Sequence, residues 1–280
     1  MKIALVTDST CDLPHELTGQ FNIHVVPLRI IYSNGEYRDG IDITTEQIMD
    51  RLDEEIPKTS MPSLEDINNL YRNLQNEGYT HCIVLTLSAS LSGTHNAFRL
   101  CAQDFPGMRI DVIDSKGVSW MLGFLVLEAA RLIREKTDYQ EILSIISQIK
   151  GKIKAYFILD TLEYVQAGGR IGKVAKSLGS MLNLKPIITF DENGKLHPHT
   201  IARGKQQALK KLISPIYQQI ASTRARIGIL HSRAEKEAEA LKRRLKDLEN
   251  VVQLYIGSIG PTLSVHAGPG LLGMVVYPLD

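Results

Sequence analysis

Short runs of β-branched residues alternate with longer amphipathic stretches through the first half of the chain, and this alternation restricts the fold more than any other feature. Lys2-Ile-Ala-Leu-Val-Thr7, His81-Cys-Ile-Val-Leu-Thr86 and Arg109-Ile-Asp-Val-Ile-Asp114 read as strands. Strands separated by helices pair in parallel, so an α/β domain with a mainly parallel sheet flanked by helices is expected. The helix starts are legible. Thr44 with Gln47 and Ser63 with Asp66 have capping-box spacing, and Gly78 closes the helix that begins near Leu64. A helix from about Ser119 to Glu135 is apolar nearly all round and is predicted to lie buried between layers.

The second half has a different texture. Lys185-Pro-Ile-Ile-Thr-Phe190 and the segment from Leu196 flank Asp191-Glu-Asn-Gly194, whose Asn-Gly pair signals a hairpin. A helix from about Lys205 to Ala221, a strand at Arg226 to His231, a helix at about Ala234 to Leu248 and strands near Val251 to Ile256 and Leu272 to Tyr277 follow. This predicts a mixed α/β domain with antiparallel strands. Lys-Gly-Lys-Ile-Lys at 150–154 breaks the apolar periodicity. The expected domains are therefore 1–152 and 153–280, and 280 residues with 44% hydrophobic content suffice for two cores.

Charge and cysteine usage narrow the function classes. With 32 Lys plus Arg against 31 Asp plus Glu the net charge is +1, so no strong field favours nucleic acid or an anionic membrane. Trp120 to Ala130 is the most apolar stretch and falls short of the roughly 18 residues that a membrane span needs, so no stable membrane insertion is expected. Cys11, Cys82 and Cys101 are odd in number and lack CxxC spacing, in a chain whose Met1-Lys2 start runs directly into a strand-like segment. They point to a reducing cytoplasm. No histidine pairs at H-E-x-x-H or with cysteine at zinc spacing, so no metal is expected.

In a parallel sheet the ligand site lies beyond the carboxyl ends of the strands. Three such ends are rich in hydroxyls: Thr7-Asp-Ser-Thr10, Ser88-Ala-Ser-Leu-Ser-Gly-Thr94 and Asp114-Ser-Lys-Gly117. Each sets hydroxyls and backbone N–H groups at a helix start, where the helix dipole favours an anion. Helix caps and turn formers account for the first and third. Ser92-Gly93-Thr94 has one hydroxyl more than a cap requires, and Gly93 permits close backbone approach. Neither G-x-x-x-x-G-K-[ST] nor a strand-following G-x-G-x-x-G occurs, so nucleotide binding has little support. A Ser92 nucleophile, in a hydrolase or a phospho-substrate enzyme, is the alternative, although the segment is not G-x-S-x-G. His266 sits in Ser264-Val-His-Ala-Gly-Pro-Gly270, either as a core histidine or as a site residue. Arg170 in Gly168-Gly-Arg-Ile171 and Arg203 in Ala202-Arg-Gly204 lie off the charged helix faces, and either suits a buried ion pair.

Taken in order, Val6-Thr-Asp-Ser-Thr10, Thr59-Ser-Met-Pro-Ser63, Leu91-Ser-Gly-Thr94, Ile113-Asp-Ser115, Gly168-Gly-Arg-Ile171, Ala202-Arg and His266-Ala-Gly-Pro-Gly270 form a set that resembles the DegV family from Lys2 to Tyr277. The resemblance implies two α/β domains with a long-chain fatty acid such as palmitate buried between them. It also implies a bacterial, non-catalytic binding subunit that presents the acyl carboxylate to the ATP-binding subunit of a fatty acid kinase, with no cofactor beyond the bound lipid. Carried over by position, Thr59, Ser60, Ser92, Gly93 and Thr94 hold the carboxylate. His266 lies beside it, with Arg203 and Arg170 as supports. Met61 stands where the family commonly has Gln and His95 where it has Tyr, which bears on ligand selectivity.

Overall fold

A computed structural model describes residues 1–177 and 184–279, with side chains at 175–177 excepted. The chain forms two compact units, one of residues 1–44 and 57–150, the other of residues 45–56 and 151–280. The second unit thus takes in an excursion, residues 45–56, from the middle of the first.

In chain order the first unit contains strands β1 (Ile3–Asp8), β2 (Ile23–Val26), β3 (Arg29–Tyr32), β4 (Gly35–Arg38), β5 (Lys58–Ser60), β6 (His81–Thr86) and β7 (Arg109–Asp114). Its helices are α1 (His15–Gln20), α3 (Leu64–Asn76), α4 (Thr94–Cys101), α5 (Trp120–Arg134) and α6 (Tyr139–Lys150), while α2 (Thr45–Arg51) belongs to the second unit. The main sheet is parallel in the order β2-β1-β6-β7. From β1 the chain moves to one side for β2 and to the other for β6 and β7. The order therefore reverses between β1 and β6, the position where doubly wound sheets open a crevice at the strand carboxyl ends.

Both faces of this sheet are covered, which explains the continuous apolar runs of its strands. Ala4, Val6, Cys82 and Val84 pack against Ile67, Tyr71 and Leu74 of α3 and Phe98 of α4. Twelve of the fifteen residues of α5 are buried. Its all-round apolar surface requires such a position, and the one buried charge, Glu128, is neutralised by Arg131 one turn later at 2.6 Å. The Ser63 hydroxyl accepts the Asp66 N–H at 3.0 Å to start α3. Gly78, at φ +80°, follows its end in the left-handed conformation that glycine adopts at low cost. The predicted capping box is half-formed, because the Asp66 carboxylate turns to the Arg29 guanidinium.

Beside the parallel sheet lies a small antiparallel one, in the order β4-β3-β5, that the sequence reading did not anticipate. It carries Thr59 opposite Ile30 and Ser60 opposite Arg29.

The second unit is built on a six-stranded mixed sheet. Its strands are β8 (Lys154–Ile158), β9 (Leu184–Phe190), β10 (Leu196–Arg203), β11 (Ala225–His231), β12 (Val251–Ser258) and β13 (Leu272–Pro278), ordered β10-β9-β8-β13-β11-β12. Only the β11–β12 pair is parallel. The hairpin predicted at 191–194 joins β9 to β10, with the Asp191 carboxylate accepting the N–H groups of Asn193 and Lys195, each at 3.0 Å. Helices α7 (Glu163–Ala167), α8 (Lys205–Ile220), α9 (Glu235–Leu245) and α10 (Pro261–Ala267) complete the unit. Leu212, Ile216 and Leu241 join Ile227, Ile229, Met274 and Val276 in its core. Among the described residues no helix is long and apolar enough to cross a membrane.

Candidate functional site

The loop between β6 and α4 stands at the switch point of the parallel sheet and is held from both sides. Asp8, at the end of β1, is fully buried and accepts the Leu87 N–H at 2.7 Å through one oxygen. Its other oxygen takes the Thr10 N–H at 3.1 Å and the Thr10 hydroxyl at 2.6 Å. Asp114, at the end of β7, accepts the N–H groups of Ala89 at 3.1 Å and Lys116 at 2.9 Å. Ser88 is buried between these anchors and donates its N–H to the Gly117 carbonyl at 2.8 Å. Burial pushes the Asp8 carboxyl up to about 6 against the pull of its three hydrogen bonds, and the neighbouring Asp39 charge adds to the rise.

Clamped in this way, the loop delivers Ser92, Gly93 and Thr94 to the N-terminus of α4. Thr94 is fully buried, Ser92 half-buried and Gly93 exposed. The Ser92 and Thr94 hydroxyl oxygens are 2.9 Å apart, and the Thr94 N–H reaches the Ser92 oxygen at 3.3 Å. Two hydroxyls carry two protons and their mutual contact uses one, so the other remains for an acceptor outside the pair. N–H groups of the first turn of α4 have no intrahelical acceptor and point the same way as the dipole. This is an uncharged, donor-rich corner suited to an anion.

Thr59 and Ser60 lie on β5, which leads directly into Met61. A Cβ added to Gly93 would sit 3.4 Å from the Met61 sulfur, so this side chain lies over the glycine. Met61, the residue that follows β5, therefore packs against the Ser92–Thr94 loop. Thr59 is half-buried and Ser60 exposed. His95 turns from the hydroxyl pair and places Nδ1 3.4 Å from the Thr86 hydroxyl, and burial lowers its pKa.

At the other two strand ends Thr10 donates its hydroxyl to Asp8 at 2.6 Å, and the buried Thr7 hydroxyl meets no partner among the described residues. Ser9 donates to Asp39 at 2.6 Å, and Ser115 donates to the Gly117 carbonyl at 3.1 Å. Ser115 thus serves its own turn, whereas Ser9 reaches outside its strand end to Asp39. What the sequence reading missed is the part played by Asp8 and Asp114, which it counted only as members of hydroxyl clusters. A carboxylate closing each of two parallel strands was the available signal.

In the second unit, Arg170 and His266 meet through a set of interlocking contacts. The segments 160–170 and 266–270 run past each other, and bulky groups of each rest on glycines of the other. A Cβ at Gly270 would lie 2.1 Å from an Asp160 oxygen, one at Gly268 2.1 Å from the Tyr164 ring, and one at Gly168 2.2 Å from His266 Nδ1. The Arg170 guanidinium donates to the Gly168 carbonyl at 2.5 Å. Burial, reinforced by the nearby Arg170 charge, lowers the His266 pKa to about 4, so its imidazole is neutral at neutral pH. Arg203 stands outside this interlock, exposed at the end of the edge strand β10, where its N–H donates to Gln207 at 2.5 Å. Among the described residues no group of three or more His, Cys, Asp or Glu side chains is arranged to hold a metal ion.

Comparison with known proteins places this geometry in a lineage. The family model described as "Uncharacterised protein, DegV family COG1307" matches residues 2–279. A DegV domain-containing protein of Clostridium acetobutylicum is 39% identical over 276 residues, 98% of each chain. Among solved structures, a DegV family protein from Thermus thermophilus described for its fatty acid binding superposes with a TM-score of 0.94 at 34% identity, covering 100% of both chains. A stearic acid-binding protein from Eubacterium ventriosum superposes with a TM-score of 0.85 at 26% identity, covering 99% of this chain and 98% of that one. The chain belongs to the DegV family.

Proposed function

We propose that this chain binds a long-chain fatty acid, with palmitate as a representative ligand, and holds its carboxylate with the hydroxyls of Ser92 and Thr94. The observation that carries this reading is the hydroxyl pair itself, two oxygens 2.9 Å apart at the start of α4 on a loop anchored by two carboxylates. Thr59 or Ser60 and the Gly93 N–H add donors. The fatty acid binding of the Thermus relative supports the choice of ligand.

Energetics favour this pairing of site and ligand. Burying each CH₂ contributes about 0.8 kcal/mol, so a long acyl chain supplies most of the affinity and the head group needs only to be kept from paying its desolvation cost alone. Hydroxyl and N–H donors satisfy a carboxylate without a bidentate cation closing over its lone pairs. The oxygens then stay open to a phosphoryl donor. On this reading the chain is not itself a catalyst but presents the acyl carboxylate to the ATP-binding subunit of a fatty acid kinase in a bacterial cytoplasm. Its three cysteines are free and buried, as suits a reducing compartment. His266, Arg170 and Arg203 are proposed as polar supports.

The hydrogen bonds of Ser92 favour this role over nucleophilic attack, since its oxygen meets the Thr94 hydroxyl and N–H, whereas the adjacent imidazole of His95 lies against Thr86. Lipid extracted from the purified protein, analysed by mass spectrometry, is expected to contain long-chain fatty acid in stoichiometric amount. Delipidated protein that takes up neither palmitate nor oleate, or a serine-reactive probe that labels Ser92 in wild type but not in Ser92→Ala, contradicts the proposal.

A further inference from the structure

We infer that Gly168 is a positioning residue for His266, seating Nδ1 of the imidazole on its bare Cα and so fixing the orientation of the ring. The inference rests on the reading above in one respect, that His266 supports the carboxylate. Its structural part stands on two observations that separate Gly168 from its neighbour.

First, a Cβ at position 168 would lie 2.2 Å from Nδ1 and 2.6 Å from Cε1 of His266, well inside van der Waals contact. Second, the backbone there has φ −72° and ψ −8°, a conformation open to every L residue. Glycine at 168 is therefore required by the ring and not by the path of the chain. Gly169 is the reverse case, with φ +71° and nothing within 4 Å of a Cβ, so that glycine serves only the turn. The Arg170 guanidinium grips the Gly168 carbonyl at 2.5 Å and fixes the seat from the chain side. On the ring side, the Tyr164 contact with Gly268 fixes the two residues that follow His266. The Gly-Gly-Arg and His-Ala-Gly-Pro-Gly motifs thus form one device that holds the imidazole in one orientation.

The test compares Gly168→Ala with Gly169→Ala in the full chain. Long-range ¹H–¹⁵N spectra of the histidine rings, with the His266 signals identified by their loss in His266→Gln, report ring orientation and tautomer. Palmitate titration of delipidated protein reports binding. Gly168→Ala is expected to shift the His266 ring signals and weaken palmitate about tenfold or more, the loss of one hydrogen bond to a charged group. Gly169→Ala is expected to lower the melting temperature while the His266 signals stay in place. Unmoved His266 signals in folded Gly168→Ala overturn the inference. If Gly168→Ala does not fold, the double variant Gly168→Ala/His266→Ala decides, since removal of the ring is expected to restore folding, and a double variant that also fails overturns the inference. His266 ring signals that shift in Gly168→Ala, when even the wild-type protein never binds palmitate, would sustain the positioning role while removing the fatty acid reading.

Discussion

Asp8 and Asp114 close the two strands that flank β6, and both reach the same loop: Asp8 takes the Leu87 N–H at 2.7 Å and Asp114 the Ala89 N–H at 3.1 Å. Neighbouring parallel strands end at one level, so carboxylates on either side of β6 straddle whatever leaves it. The loop that presents Ser92 and Thr94 has its first residues tied down twice. Asp8→Ala leaves two backbone N–H groups and a hydroxyl without their acceptor in a fully buried place. A loss of about 3 kcal/mol or more in urea unfolding is expected. Asp114→Ala, at a partly hydrated position, is expected to cost about 1 kcal/mol.

Ser92→Ala removes one oxygen of the hydroxyl pair and leaves Thr94 as the remaining side-chain donor there. Palmitate affinity, measured by calorimetric titration of delipidated protein, is expected to fall by about 1–3 kcal/mol with little change in unfolding free energy. Thr94→Ser keeps the hydroxyl and is expected to stay within a few-fold of wild type. Equal affinity in Ser92→Ala and wild type would take Ser92 out of the site.

Ser63 starts α3 through its 3.0 Å bond to the Asp66 N–H and lies two residues beyond Met61, which covers Gly93. Ser63→Ala should cost about 1 kcal/mol of stability. Ser63→Thr should recover most of it, and both effects are readable as shifts of the urea midpoint.

The buried imidazole of His266 makes stability depend on pH with a definite sign. Its pKa, about 4 in the folded chain, lies below the ordinary value of 6.5. As pH falls the unfolded chain therefore takes up the proton first, and the contribution of this group is fully present above pH 6.5 and is lost as pH falls towards 4. The difference in unfolding free energy between wild type and His266→Gln is expected to shift against wild type by at most about 3 kcal/mol across that window. A difference that stays constant from pH 7 to pH 4 would show that the ring titrates as in the unfolded chain.

Much of the fold was written in local patterns. The strands at 81–86 and 109–114 begin and end where the apolar runs do, and the 191–194 hairpin follows its Asn-Gly signal. The small antiparallel sheet escaped notice because its strands are three or four residues long, too short for alternation to register. Its own Asn34-Gly35 pair, where the Ser33-Asn34 turn enters β4, was the signal that went unused. At the site, Ser92-Gly93-Thr94 stood out as one hydroxyl more than a cap requires. The clamping roles of Asp8 and Asp114 did not, since they depend on which strands are neighbours, and no local spacing encodes the order β1-β6-β7. The interlock of 160–170 with 266–270 is legible only as a surplus of glycine until the chain is folded.

Crystals of the protein grown with palmitate test the central claim most directly. The account predicts continuous, elongated electron density whose carboxylate end lies within hydrogen-bond distance of the Ser92 hydroxyl. Density that ends at another polar group, or a hydroxyl pair contacted by ordered water alone while palmitate is bound elsewhere, would contradict it.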